Sequence, residues 1–270
     1  MSRPERSGKG PFRPEHVGPG DRYEISEGHA IYRAPTGGDG GRRTLLGAEV
    51  LDTDPDVTEA GIDTGYRLDD DTMRAPDVAV GHVPDAPGWV KGVPPLALEY
   101  AGVGQDEPEL QTKIAQLLAR GTKLVWVVRL IGPRRVEVYE PAREVRVLGP
   151  GGVLVAPGIL RNPVPVEALY DRSVAHEVTL RNLLQRRGYD RLEDVREEGR
   201  EEGREEGREE GREEGREEGR AAALREAVPA LCEAFGIEWT DERDASIAAS
   251  SADDLAALLA TLRRERRWPS

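Results

Sequence analysis

The stretch "LALEYAGVGQDEPELQTKIAQLLARGTKLVWVVRL", residues 96–130, decides the fold. Its two apolar ends, LALEY (96–100) and KLVWVVRL (123–130), read as strands. Between them Leu110, Ile114, Leu117 and Leu118 fall at i, i+4, i+7 and i+8, the spacing of one helical face. Pro108 suits the first helical position and Gly121 suits the stop. A strand, a crossover helix and a second strand imply an α/β core around a mixed sheet flanked by helices. One residue resists this reading: Glu99 is a carboxylate in an otherwise apolar and aromatic run.

Further strand signals surround this unit. They are DVAVGHV (77–83) before it, then RRVEVYE (134–140), EVRVL (144–148) and VLV (153–155) after it. Upstream, RYEISEGHAIYR (22–33) reads as a turn or short helix leading into a strand, APTGGDGG (34–41) as a flexible stretch, and RRTLLGAEVL (42–51) as a weak helix. Residues 1–21, rich in Pro, Gly and charge, read as loose. From about residue 166 the chain turns helical, with Val174, Val178, Leu180, Leu183 and Leu184 as its apolar positions.

Only 37% of the 270 residues are hydrophobic and 5% aromatic, too few for a wholly compact chain, so part of it sits outside any core. That part is the tail. The tetrapeptide REEG occurs six times without interruption from Arg196 to Gly219. As a helix it gains Glu–Arg pairs three apart, such as Glu201 and Arg204, worth about 0.2 to 0.5 kcal/mol each. It loses up to about 1 kcal/mol at each glycine relative to alanine. A marginal, solvated helix results, serving as a spacer or, through its glycine stripe, as a helix-pairing element. AAALREAVPALCEAF (221–235) and SADDLAALLATLRRERR (251–267) read as a small helical hairpin that packs on itself or on another subunit, with self-association through these helices as the expectation.

No apolar run approaches the ~20 residues of a membrane span, and residues 1–20 lack a secretion signal, so the expectation is a cytoplasmic protein with no membrane partner. A single cysteine, Cys232, excludes an internal disulfide and any multi-cysteine zinc site, and its apolar helical surroundings point to a buried, inert thiol. The net charge of -13 repels nucleic acid at long range, so a nucleic-acid substrate requires a local basic surface or bridging metal ions.

Phosphate-cradling and dinucleotide loops, HExxH and Cys/His clusters are absent from the sequence, and His16, His29, His82 and His176 have no ligand spacing. What remains is RAPDVAVG (74–81), LALEY and Lys113. Pro76 holds Ala75 extended and fixes how Asp77 enters its strand. If that strand neighbours LALEY, Asp77 and Glu99 converge within reach of one divalent ion, which Mg²⁺ takes with one or two carboxylates. The competing reading has Glu99 facing solvent on a half-exposed strand, on the same face as Ala97. Lysine usage adds to the first. The chain has four lysines, Lys9, Lys91, Lys113 and Lys123, among 34 arginines. Lys113 borders the buried helical face, either as a snorkelling side chain or as a compact ammonium doing what guanidinium does poorly.

The order Pro76-Asp77, Glu99, Lys113, then GTKLVWVVRLIGPRRVEVYEP (121–141) resembles the Uma-type restriction endonuclease domains, a branch of the PD-(D/E)XK nuclease superfamily. YEISEG (23–28) and PGILRNPVPVEALYD (157–171) are similar to that family's opening and closing segments. The resemblance implies a restriction-endonuclease-like α/β core with an extended helical C-terminal tail. It divides the chain into a loose segment (1–21), a nuclease-like domain (22–172), a helical linker with the repeat (173–220) and a C-terminal hairpin (221–270). It implies Mg²⁺- or Mn²⁺-dependent hydrolysis of DNA, with Asp77, Glu99 and Lys113 catalytic, Asp77 and Glu99 holding the metal, and Glu27, less so Glu24, adding a carboxylate. The sequence departs from the superfamily at Ala101, where EYA replaces ExK, and the family's lysine then comes from the helix, at Lys113. The alternative is an inactive nuclease fold acting as a binding or oligomerisation module through its tail.

Overall fold

The computed structural model describes residues 10–18 and 20–269, and the chain divides into two compact units, one ending at Leu192 and the other starting at Glu193. In the first unit the strands are β1 (Tyr23–Ser26), β2 (His29–Tyr32), β3 (Ala60–Ile62), β4 (Tyr66–Arg67), β5 (Met73–Arg74), β6 (Val78–Val80), β7 (Val90–Lys91), β8 (Leu96–Ala101), β9 (Leu124–Arg129), β10 (Arg135–Tyr139), β11 (Arg146–Leu148), β12 (Val153–Leu154) and β13 (Val164–Pro165). The helices are α1 (Gly38–Asp52), α2 (Glu107–Ala119) and α3 (Arg172–Arg186).

A six-stranded sheet in the order β11-β10-β9-β8-β6-β3 forms the centre. β8 and β9 are parallel with α2 crossing between them, and the other pairs are antiparallel. Sequence and structure therefore agree on a mixed α/β sheet flanked by helices. Asp106 caps α2 by accepting the Glu109 N–H, and Gly121 leaves the helix at φ +114, which a side chain would oppose.

The sheet is covered on both faces, which explains why LALEY does not alternate polar and apolar. Leu98, Trp126, Val128 and Val136 pack with Val50, Leu51, Leu169 and Val178 on the α1 and α3 side. Ala97, Ala101, Val125 and Val127 pack with Leu110, Ile114 and Leu117 on the α2 side. At Gly47 of α1 a Cβ would collide with Tyr100 Oη and Leu98, so glycine is what lets the helix lie on β8. A second sheet, β2-β1-β5-β4-β7, has its own small core of Val17, Ile25 and Met73.

Several sequence expectations are corrected. Residues 22–33 are the β1–β2 hairpin, whose turn takes Glu27 and Gly28 to φ 49 and 74. The supposedly flexible stretch already begins α1 at Gly38. Of the loose N-terminal segment, residues 1–9 lie outside the described residues, while Pro14–His16 form a helical turn and Val17 is buried. The first unit also claims α3, read above as linker. Asn182 donates to the Val50 carbonyl at 3.2 Å, and Arg186 to the Asp54 and Val57 carbonyls at 2.9 and 2.7 Å. These bonds turn the buried side of α3 onto Ala175, Val178, Thr179 and Asn182 and leave Leu180 and Leu183 exposed.

In the second unit α4 (Leu192–Ala234) carries the whole repeat on one continuous helix, and every repeat residue is exposed. Its C-terminal part packs with α5 (Asp241–Ala249) and α6 (Ala252–Glu265) around Val228, Cys232, Ile247, Leu255, Leu259 and Leu262. The expected hairpin is thus three helical segments, because Thr240 caps an additional helix in the connection. Among the described residues no helix is long and apolar enough to cross a membrane.

Candidate active site

Strand register builds the site. β6 and β8 pair as Val78 with Leu98, so the next step of the same register sets Asp77 opposite Glu99. Residues opposite each other on antiparallel strands share a face. β3 continues the row, since Ile62 pairs with Val78 and the Asp63 N–H reaches the Asp77 carbonyl at 3.4 Å. Asp63, just past β3 at φ 52, thus brings a third acidic residue beside the pair. Lys113 comes down from α2 onto this row, its Nζ 2.6 Å from Glu99 Oε1 and donating to the Ala75 carbonyl at 2.7 Å.

The two sequence readings of Glu99 separate here: it is 6% exposed, beneath α2, and does not face solvent. Its contact with Lys113 is close, but Oε1 has no aligned hydrogen-bond donor among the described residues. Lys113 is as buried as its partner, at 2% exposure, so it does not snorkel.

A fourth carboxylate enters from the other sheet. Glu24 of β1 lies 3.3 Å from Lys113 Nζ, accepts two bonds from Arg33 at 2.8 and 2.9 Å, and accepts another from the fully buried Arg74 at 3.1 Å. Arg74 in turn binds Glu109 at 2.5 Å and Gln116 at 2.7 Å, both on α2. Glu27, the expected extra ligand, sits exposed at the hairpin turn, where its backbone N–H bonds Thr72. Glu24 takes the inner place because, with Ser26, it occupies the β1 face opposite Ile25 and turns toward α2, where Ser26 bonds Gln116 at 3.0 Å. Sequence reasoning missed Arg33, Arg74 and Asp63. The signal for Arg74 was its place directly ahead of "APD".

The environment drives two carboxylates beside one ammonium in opposite directions. Burial pushes Glu99 up to about 8, against the Lys113 charge and with the help of Asp77. For Glu24 burial acts the same way, but Lys113, Arg33 and Arg74 outweigh it and hold Glu24 at about 2. Asp77 is also raised by burial, despite Lys113 and the 2.7 Å bond that its Oδ2 accepts from the Tyr100 N–H. Burial alone would lower Lys113, yet Glu24 and Glu99 raise it, so it stays an ammonium.

Among the described residues no three His, Cys, Asp or Glu side chains are grouped to hold a metal ion. The pair Asp77 and Glu99 nonetheless suits a hard divalent cation, which needs one or two carboxylates with substrate phosphate and water. Asp77 Oδ1 and the Glu99 carboxylate, whose Oε1 lies 2.6 Å from Lys113 Nζ without an aligned donor, are what that pair can offer. Glu24 cannot join them, because both its oxygens are taken by Arg33, Arg74 and Lys113.

The chain matches the model of the Uma2 family, described as "Putative restriction endonuclease", over residues 12–164. Among solved structures it is similar to a "putative nuclease belonging to DUF820 from Anabaena variabilis ATCC 29413", at 19% identity and a TM-score of 0.49, over 57% of this chain and 90% of that one. No curated protein matches it.

Proposed function

The chain belongs to the Uma2 restriction endonuclease family, and from that premise we propose that it hydrolyses DNA phosphodiester bonds with a divalent metal ion, Mg²⁺ or Mn²⁺. The observation that carries this reading is the placement of Asp77 and Glu99 on adjacent strands with Lys113 Nζ 2.6 Å from Glu99. Asp77 and Glu99 hold the ion, which when bound lowers the pKa of water and offsets phosphate charge. Glu99 must release its proton to do so, and Lys113 beside it favours that release.

The Lys113 ammonium is the residue that meets negative charge as it develops on the phosphorane oxygens. The Ala75 carbonyl, which accepts its hydrogen bond, and the ion-pair partners Glu24 and Glu99 fix the nitrogen in a site from which water is largely excluded. Glu24 keeps Lys113 protonated, and Arg33 and Arg74 keep Glu24 in place. Both act through another residue and are positioning groups. The acidic net charge would not oppose this chemistry, because a divalent cation held by Asp77 and Glu99 would offset the carboxylate charge that a phosphate meets.

Plasmid cleavage in Mg²⁺ or Mn²⁺ tests the reading, comparing wild type with Asp77→Ala, Glu99→Ala and Lys113→Ala. Cleavage by the wild type alone is the expected result. Equal cleavage by all four, or none by wild type, removes it.

A further inference from the structure

Buried polar atoms of a folded protein nearly always have hydrogen-bond partners, so orphans gathered in one place call for a ligand. Arg43 Nε, Arg134 Nη1 and Tyr170 Oη are buried atoms without such a partner among the described residues, and they belong to one cluster. Arg43, on α1, donates through Nη1 to the Tyr170 carbonyl at 3.0 Å. Arg134, just ahead of β10, lies over the Tyr170 ring at 5.9 Å from its centroid. Asp39 takes one edge of Arg43 at 2.7 Å, and Arg42 stands close enough to act on the same carboxylate. Two guanidinium groups, those of Arg43 and Arg134, therefore lie against Tyr170 at a place where donors outnumber acceptors.

The cluster adjoins the candidate active site through one side chain. Tyr100 follows Glu99, so its ring emerges on the opposite face of β8. Its N–H holds Asp77, and its hydroxyl donates to the Leu169 carbonyl at 2.8 Å, directly before Tyr170. Arg134 follows the C-terminal end of β9, parallel to β8, so both sites sit at the carboxyl end of the same strand pair, where open α/β sheets bind ligands. The unpartnered donors Arg43 Nε and Arg134 Nη1, both on residues that contact Tyr170, together with its unpartnered hydroxyl suit a phosphate, which offers several strong acceptors.

We propose that Arg43, Arg134 and Tyr170 form a subsite for a backbone phosphate of the DNA strand whose scissile bond lies at Asp77, Glu99 and Lys113. This rests on the nuclease reading and supplies the local basic surface that an acidic chain needs. Phosphate contacts of this kind fix register without reading sequence.

The test is binding, kept apart from cleavage. The full chain carrying Glu99→Gln is titrated with a short labelled DNA duplex over a series of NaCl concentrations, followed by fluorescence anisotropy. Adding Arg134→Gln weakens binding roughly three- to tenfold and makes the slope of log K against log salt shallower by about 1. Arg134→Lys restores the slope, and Tyr170→Phe weakens binding without changing it. Arg143→Gln, an exposed residue paired to Glu140, changes neither. Unchanged affinity and slope in Arg134→Gln, or an equal loss in Arg143→Gln, overturns the subsite and leaves the nuclease reading standing. If the parent chain binds no duplex at any salt concentration, both fall.

Discussion

Two regions of this molecule are built from the same residue types and behave as opposites. Around Lys113, the side chains of Glu24, Arg74 and Glu99 are shut away from water and Asp77 is half-buried, each fixed by named partners. Along residues 196–220 of α4, seven arginines and twelve glutamates are all exposed. What separates them is desolvation: a buried charge without a counter-charge costs several kcal/mol, whereas an exposed pair is worth a few tenths. In the first region the environment sets apart the protonation of neighbouring carboxylates, Glu24 low and Glu99 high.

The sharpest way to break that contrast is to remove the cation at its centre. Lys113→Ala leaves Glu24 and Glu99 buried beside a vacated ammonium site, and a loss of about 3 to 5 kcal/mol in urea unfolding is expected. Cleavage falls by about 10²- to 10³-fold or more in the same variant. A variant with unchanged unfolding would show that water already screens this cluster.

Next in size are the pH limbs of stability. Glu24 is held at about 2 in the fold against 4.5 for a free glutamate. Its contribution is therefore fully present above 4.5 and is lost as pH falls towards 2. Glu99, raised to about 8, acts in the reverse sense: the fold keeps a proton that the unfolded chain releases, so stability declines as pH rises from 4.5 to 8. Glu24→Gln should flatten the acid limb and Glu99→Gln the neutral one, each by on the order of a few kcal/mol in denaturant midpoints followed across pH. A single variant that flattened both limbs would mean that the two carboxylates titrate as one pair around Lys113.

How much of this was legible beforehand follows the same division between local and long-range causes. The crossover over residues 96–130 could be read because its periodicity and stop signals are local. The paired positions of Asp77 and Glu99 followed from strand order. Burial of Glu99 could not be read, since β8 is covered on both faces and its sequence does not alternate. The exchange of Glu27 for Glu24 turned on a tight hairpin at Glu27 and Gly28, with neither the Asn nor the Asp that usually announces one. Strands as short as Tyr66–Arg67 and Met73–Arg74 carry no periodicity, and so the sheet that delivers Glu24 and Arg74 left no sequence trace beyond one strand within residues 22–33.

In the exposed region the expected effects shrink by an order. A Cβ placed at Gly207 or Gly211 meets nothing within 4 Å. Gly207→Ala and Gly211→Ala should therefore raise helix stability by up to about 1 kcal/mol each, read as greater helicity by circular dichroism at elevated temperature. DNA cleavage should not change. Loss of helicity on these substitutions would mean that the glycines touch a partner chain.

The smallest effect tests the repeat itself. A four-residue period makes every neighbour at i+4 identical, so the helix stacks Glu on Glu and Arg on Arg along its length. Glu205 escapes in part, because Arg208 lies three residues on. Glu206 does not: its neighbours at three and four residues are Gly203, Glu202, Glu209 and Glu210. Glu206→Gln should therefore stabilise α4 more than Glu205→Gln, by about 0.2 to 0.5 kcal/mol, the worth of one Glu–Arg pair on a helix surface. High salt should erase the gap, since screening removes repulsion and attraction alike. A gap that persisted in high salt would place these glutamates against a fixed charge out of reach of the solvent, and the contrast between the two regions would fail.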